Sequence, residues 1–229
     1  MPTGLLIPEA GGPGVFGKLP WLGDFVTRRL PRSFVEPWDD WLQRGMVATR
    51  EALGDGWLDS FLTAPVWRFL LPAGSAGPAM AGLLMPSVDR VGRYFPLTLA
   101  SPLGADPGPE APLLAAGWFD ALERTALAAL DDATAPEAWE AAVEGLGAPP
   151  LMEEDRPPVE IGDGWHGVLL PSADGLGVAA LRLVAASAPA RFWTGPAAEG
   201  WYLSGDGLPP PLAWPRAFMT ARFATEPAR

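Results

Sequence analysis

Two groups of residues have the types and spacing to do chemistry. Residues 12–18 read GPGVFGK and fit the G-x-x-x-x-G-K pattern of a phosphate-binding loop. Such a loop cradles phosphate oxygens on backbone N–H groups and reaches the outer phosphates with its lysine. A Ser or Thr at the next position holds Mg²⁺, and a helix starts there. Gly12, Gly17 and Lys18 are in place, but Leu19 stands where the hydroxyl should be. Pro20 and Gly23 follow too closely for an apolar helix to run on from Lys18. A phosphate site here would need Asp24 or Asp89 to hold the metal. The second group is charged. Lys18, Asp24, Arg28 and Arg29 form a patch in a stretch that reads as an exposed loop, where binding residues tend to sit. Asp89, Arg90 and Arg93 lie between two apolar runs. An Asp beside two Arg in a turn reads first as an ion pair that fixes the loop, and alternatively as guanidinium groups offered to a partner or an anion.

Composition narrows the other chemistries. The 229 residues are 48% hydrophobic, with 11 Trp and 10 Phe, which is ample for a packed core. There is no Cys, so disulfides and thiolate metal sites are excluded. The single His, His166, excludes a multi-His metal site, and no G-x-S-x-G accompanies it as a nucleophile. Glu153, Glu154 and Asp155 lack the spacing of a calcium loop and read as solvated acids on a Pro-rich surface loop over 152–160. No apolar run is long enough to span a bilayer, and the N-terminus lacks the basic and apolar regions of a signal peptide. The expected location is the cytoplasm. The net charge of −11 is unevenly spread: residues 1–100 sum to zero, whereas 101–163 hold fourteen acids against Arg124 and Arg156. That balance disfavours nucleic acid, and the acidic block reads as a solvated helical face or a docking surface for a basic partner.

The elements that position these residues follow from periodicity. Residues 31–63 read as mostly helical, opened by a Ser33/Glu36 capping box or by Pro37 at the first helical position. Trp38, Trp41, Leu42, Gly45, Thr49 and Leu53 recur at helical spacing, with Gly54 as the stop and a short helix at 57–62. Strands are expected at 66–71, 81–88 and 94–100, with 89–92 as a short connection in a hairpin or meander. A helical stripe runs through Leu113, Leu114, Gly117, Trp118, Ala121, Leu122, Thr125 and Ala129, and Pro136 starts another helix through Trp139, Val143 and Leu146. Strands return at 165–171, 176–184, 191–195 and 201–205, and a last helix fits 213–223. Strands, helices and strands in that order predict one α/β domain over 1–229: a three-layer αβα sandwich on one mixed or mainly antiparallel sheet.

Three stretches together resemble one family. GKLPWLGDFVTRRLP (17–31), PRSFVEPWDDWLQ (31–43) and PSVDRVGRYFPLTLA (86–100) are similar to the N-terminal domain of the type VI secretion-associated ImpM/TagF proteins. The resemblance is dense over 14–100 and weaker in RFWTG and GDGLPPP (205–211). It implies the same αβα sandwich, no cofactor, and an accessory rather than catalytic role. It further implies post-translational repression of secretion through a cytoplasmic partner, the forkhead-associated scaffold Fha. Some relatives carry an added phosphatase domain, and that activity is not carried over. A homodimer stays open.

Within these motifs Gly17, Pro20, Gly23 and Gly92 read as backbone-setting residues, and Ser87, Phe25, Phe95 and Pro96 as parts of the motif's frame. Trp38 and Trp41 share a stripe with Leu42 and read as core. The residues offered to a partner are Lys18, Asp24, Arg28, Arg29, Asp89, Arg90 and Arg93.

Overall fold

A computed structural model of the chain describes residues 12–107, 111, 115–150, 159–162, 165–167, 190–194, 202–205, 207–211 and 214. Its frame is a seven-stranded sheet in the order β2-β1-β5-β4-β3-β8-β9. The strands are β1 (Gly14–Gly17), β2 (Val26–Arg28), β3 (Trp67–Leu71), β4 (Met80–Met85), β5 (Leu97–Pro102), β8 (Ala190–Thr194) and β9 (Tyr202–Gly205). Every neighbouring pair is antiparallel, so the mixed-sheet alternative falls away among the described strands. β3, β4 and β5 form the expected meander. A separate two-stranded ribbon pairs β6 (Val159–Gly162) with β7 (Trp165–Gly167). Val159 and Glu160 are therefore strand rather than loop. His166 lies opposite Glu160 in that ribbon, and the acids at 153–155 lie outside the described residues.

Alternation along the strands sends side chains to two cores, because successive Cβ atoms point to opposite faces. Trp67, Phe69 and Leu71 of β3, with Phe16 and Leu84, face α1 (Arg32–Leu53) and α2 (Trp57–Leu62). Leu70, Ala81, Leu83, Leu97 and Leu99 face α3 (Ala116–Ala128) and α4 (Pro136–Gly145). Helices thus cover both faces of the sheet.

Helix α1 buries Phe34, Trp38, Trp41, Leu42, Gly45 and Thr49, close to the expected stripe. Trp38 donates its indole N–H to Thr98 Oγ1 of β5 at 3.0 Å, and Trp41 donates to the Pro209 carbonyl at 2.7 Å. Trp214 sits against Gly45, where a Cβ would collide with the indole. The start of α1 corrects the expectation. Its N-cap is Pro31, no side chain caps it, and Pro37 lies inside the helix. Pro37 has no N–H for the Ser33 carbonyl. Gly77, at φ +98°, packs against that carbonyl where no Cβ would fit.

On the other face, α3 buries Trp118, Phe119, Leu122 and Ala126, whereas Gly117 is exposed. The expected stripe was rotated because Phe119, not Gly117 or Thr125, meets the sheet. Helix α4 starts at Pro136 and buries Trp139 and Val143, as the sequence indicates. Of the last expected helix only Trp214 is described, and 176–184 lies outside the described residues.

Candidate functional site

The first motif leaves β1 through Gly17. Its φ is +124°, and a Cβ there would strike the Pro96 carbonyl, so both conformation and space require glycine. The chain then makes a turn over 19–22, with Leu22 N–H bonding Leu19 O at 3.0 Å. Pro20 supplies the fixed φ at the second position of that turn. Leu19 is buried under the sheet, and Trp21 meets Trp139 of α4 edge-on at 5.4 Å.

The second motif folds back on the first. Val88 pairs with Tyr94, and the residues between form a tight turn. Asp89 Oδ1 accepts the Val91 N–H at 3.0 Å and the Arg93 N–H at 2.9 Å. Gly92 takes φ +84°, which a β-carbon would disfavour. The turn is then fastened to the first loop. Arg90 N–H donates to Leu22 O at 2.9 Å, the Arg93 guanidinium donates to Gly23 O, and the Ser87 hydroxyl donates to Lys18 O at 2.8 Å.

An ion cluster lies beneath. Asp89 Oδ2 accepts from the Lys18 ammonium and from Arg93 Nε at 2.7 Å, and the Lys18 and Asp89 side chains are both buried. Burial alone would push the Asp89 carboxyl up. The Lys18 ammonium, the Arg93 and Val91 N–H groups and the Arg93 guanidinium outweigh it and hold the group well below the usual carboxylate range. Lys18 also lies 4.8 Å from the centre of the Phe25 ring, which packs against Phe16 and Phe95. The internal ion-pair reading of Asp89 is thus the one the geometry carries. Lys18 and Asp89 act on the surface only through the loops they hold.

The same geometry corrects the phosphate-loop reading. Residues 14–17 form a strand paired on both sides, so their backbone groups serve the sheet. No helix follows Lys18, and its charge is matched by Asp89. Asp89 itself is enclosed by two cations. Among the described residues no cluster of three His, Asp or Glu could hold a metal ion.

Arg28 and Arg29 go elsewhere. Arg28 pairs with Glu140 of α4, and Arg29, at φ +57°, reaches Glu144 at 2.9 Å and the Pro13 carbonyl at 3.1 Å. They tie the β2 edge to the acidic helix. The surface of the two motifs includes Asp24, Phe25, Arg90, Val91 and Arg93, with Phe25 51% and Val91 64% exposed. Of these the sequence offered Asp24, Arg90 and Arg93 to a partner; Phe25 was expected in the motif's frame, where it does pack on Phe16 and Phe95 while keeping half its surface in solvent, and Val91 was not singled out. Sequence reasoning also missed Glu140 and Glu144, for which the charge-balanced first hundred residues beside an acidic block were the only signal.

Comparisons agree with this frame. Residues 14–146 match the model of the TagF N-terminal domain, described as type VI secretion system-associated. The crystal structure of PA0076 from Pseudomonas aeruginosa PAO1 is similar, with 38% identity and a TM-score of 0.73, over 95% of this chain and 98% of that one. No curated protein matches. Both motifs and both helical layers fall within the matched span, and the chain belongs to the type VI secretion system-associated TagF N-terminal-domain family.

Proposed function

We propose that this protein is a non-enzymatic regulator of a type VI secretion system. It acts in the cytoplasm, as a single domain over the whole chain, by binding a component of the apparatus. The partner is the forkhead-associated scaffold Fha, and binding represses secretion after translation. One observation carries the reading. Two loops are fastened by a buried Lys18–Asp89 pair that the exposed Arg93 also bonds, and the surface above presents an aromatic, an aliphatic and two guanidinium groups to solvent. Aromatic and Arg side chains on a rigid support are the residues that dominate protein interfaces, because little ordering entropy is left to lose. Catalysis is not needed to explain any of it: the buried carboxylate is neutralised and the lysine is paired.

Affinity purification of the protein from its native cytoplasm tests the reading. Enrichment of the forkhead-associated scaffold, reduced by Arg93→Ala and by Phe25→Ala, is the expected result. Recovery of no secretion component would leave the family membership and remove the regulatory role.

A further inference from the structure

The turn over 89–93 brings two guanidinium groups to one residue of the neighbouring loop, Gly23. Arg93 spends Nε on Asp89 at 2.7 Å and Nη2 on the Gly23 carbonyl, and its side chain stays 55% exposed. Those contacts use two of the five N–H groups of a guanidinium. Arg90 is exposed as well, and its Nη2 lies 3.6 Å from where a Cβ on Gly23 would stand. Residue 90 fastens the two loops through its main chain, to Leu22 O at 2.9 Å. The Arg90 guanidinium is not part of that fastening.

Charge at this spot has the sign to draw an anion. Lys18 and Arg93 share one carboxylate, Asp89, so the cluster beneath carries a surplus positive charge, and Arg90 adds another. One carboxylate already lies at the edge. Asp24 is fully exposed, and its Oδ1 stands 3.8 Å from Arg93 Nη2, too far for a hydrogen bond. It shows that a carboxylate approaches Arg93 from solvent without closing on it. Even with Asp24 counted, Lys18, Asp24, Asp89, Arg90 and Arg93 sum to +1 on a chain of net charge −11. Such a chain repels polyanions, so one acidic group carried by a protein suits the spot better than nucleic acid or an anionic membrane. Phe25 follows Asp24, packs on Phe95 at 4.9 Å and is 51% exposed, which sets an apolar ring beside the charges. Guanidinium groups bind carboxylates through paired N–H donors. We propose that Arg90 and Arg93 form a clasp over Gly23 for one carboxylate of the protein partner, with Phe25 as the apolar wall beside it. This deepens the interaction-surface reading and rests on it.

The test uses the full chain and three probes: the acidic dipeptide N-acetyl-Leu-Glu-amide, its neutral counterpart N-acetyl-Leu-Gln-amide, and inorganic phosphate. Binding is read from backbone amide and arginine Nε–H shifts in nuclear magnetic resonance. The acidic dipeptide is expected to shift Gly23, Asp24 and both arginine side chains saturably, and the neutral one to leave them in place. Arg90→Gln weakens the acidic dipeptide by about tenfold, the worth of a charge-assisted hydrogen bond. Asp24→Asn strengthens it by about twofold, because the internal carboxylate no longer competes. Residues that merely braced the loops would not give opposite signs at these two positions. Arg32→Gln, at the exposed start of α1, leaves the affinity unchanged, and far-UV circular dichroism confirms that each variant folds. Equal shifts by the neutral dipeptide, parental affinity in Arg90→Gln, or an affinity no higher in Asp24→Asn overturns the proposal. So does phosphate that saturates the clasp while the acidic dipeptide does not, because the ligand would then be a phosphoryl group. The assay contains no scaffold. Failure of the scaffold to bind therefore removes the regulator reading alone, and an acidic dipeptide that ignores the clasp removes this inference alone.

Discussion

At the scale of single residues, the site is held by Asp89. Four donors converge on its two oxygens, from Lys18, Val91 and both the backbone and side chain of Arg93. Its folded pKa is depressed below the ordinary 3.8, so its contribution to stability is present above that pH and is lost as the pH falls through it toward the folded value. Asp89→Asn is therefore less stable than the parent at pH 7, and the gap narrows below pH 3.8. Urea midpoints measured across that range check this, and a gap independent of pH would contradict it. A second contrast concerns arginines. Arg32 pairs with Glu36 one helical turn away, and both are largely exposed, so Arg32→Ala changes stability by less than about 1 kcal/mol. Arg68 is buried and bonds Asp120 at 2.8 Å and Glu123 at 2.7 Å. Arg68→Met loses charge-assisted bonds and costs about 2 kcal/mol, read as a shift in the urea midpoint.

At the scale of elements, packing against Trp214 tests the seat of α1. Gly45→Ala places a Cβ inside the indole of Trp214, and the overpacking costs about 1–3 kcal/mol. A calorimetric melt reads the loss, and an unchanged transition would contradict the contact. The elements also show what the sequence made legible. The α1 stripe was readable because apolar residues recur at helical spacing over more than four turns, and Gly54 stopped the helix as expected. The start of α1 was not. Ser33 and Pro37 look like start signals, but the Pro31 carbonyl accepts the Phe34 and Val35 N–H groups and moves the start upstream. The face of α3 was misjudged because Ala, Gly and Leu surround it on several sides and periodicity alone cannot rank them. Phe119 decides the matter through Trp118 and Trp193, contacts that no local pattern encodes. At the site, the sequence singled out both motifs as units. It could not show that they are fastened to each other, since Lys18 and Asp89 are 71 positions apart.

At the scale of the whole molecule, the acidic block is partly spent on internal pairing. Glu140 and Glu144 take Arg28 and Arg29, and Asp120 and Glu123 take Arg68, so the block secures α3 and α4 to the strands. Nucleotide binding is a further whole-molecule test. A ligand at a hundred times its Kd would add about 2.7 kcal/mol of stability. The strand at 14–17 and the paired Lys18 predict no change in melting temperature with ATP or GTP, with or without Mg²⁺. A clear rise would revive the phosphate reading. Calorimetric titration of the purified chain into the purified forkhead-associated scaffold tests whether the two fastened loops form the partner-binding surface. Saturable binding is expected, and Arg93→Ala and Phe25→Ala each weaken it by about tenfold or more while far-UV circular dichroism shows both variants folded. Binding of parental strength by both folded variants, or no binding by the parent, would contradict this expectation.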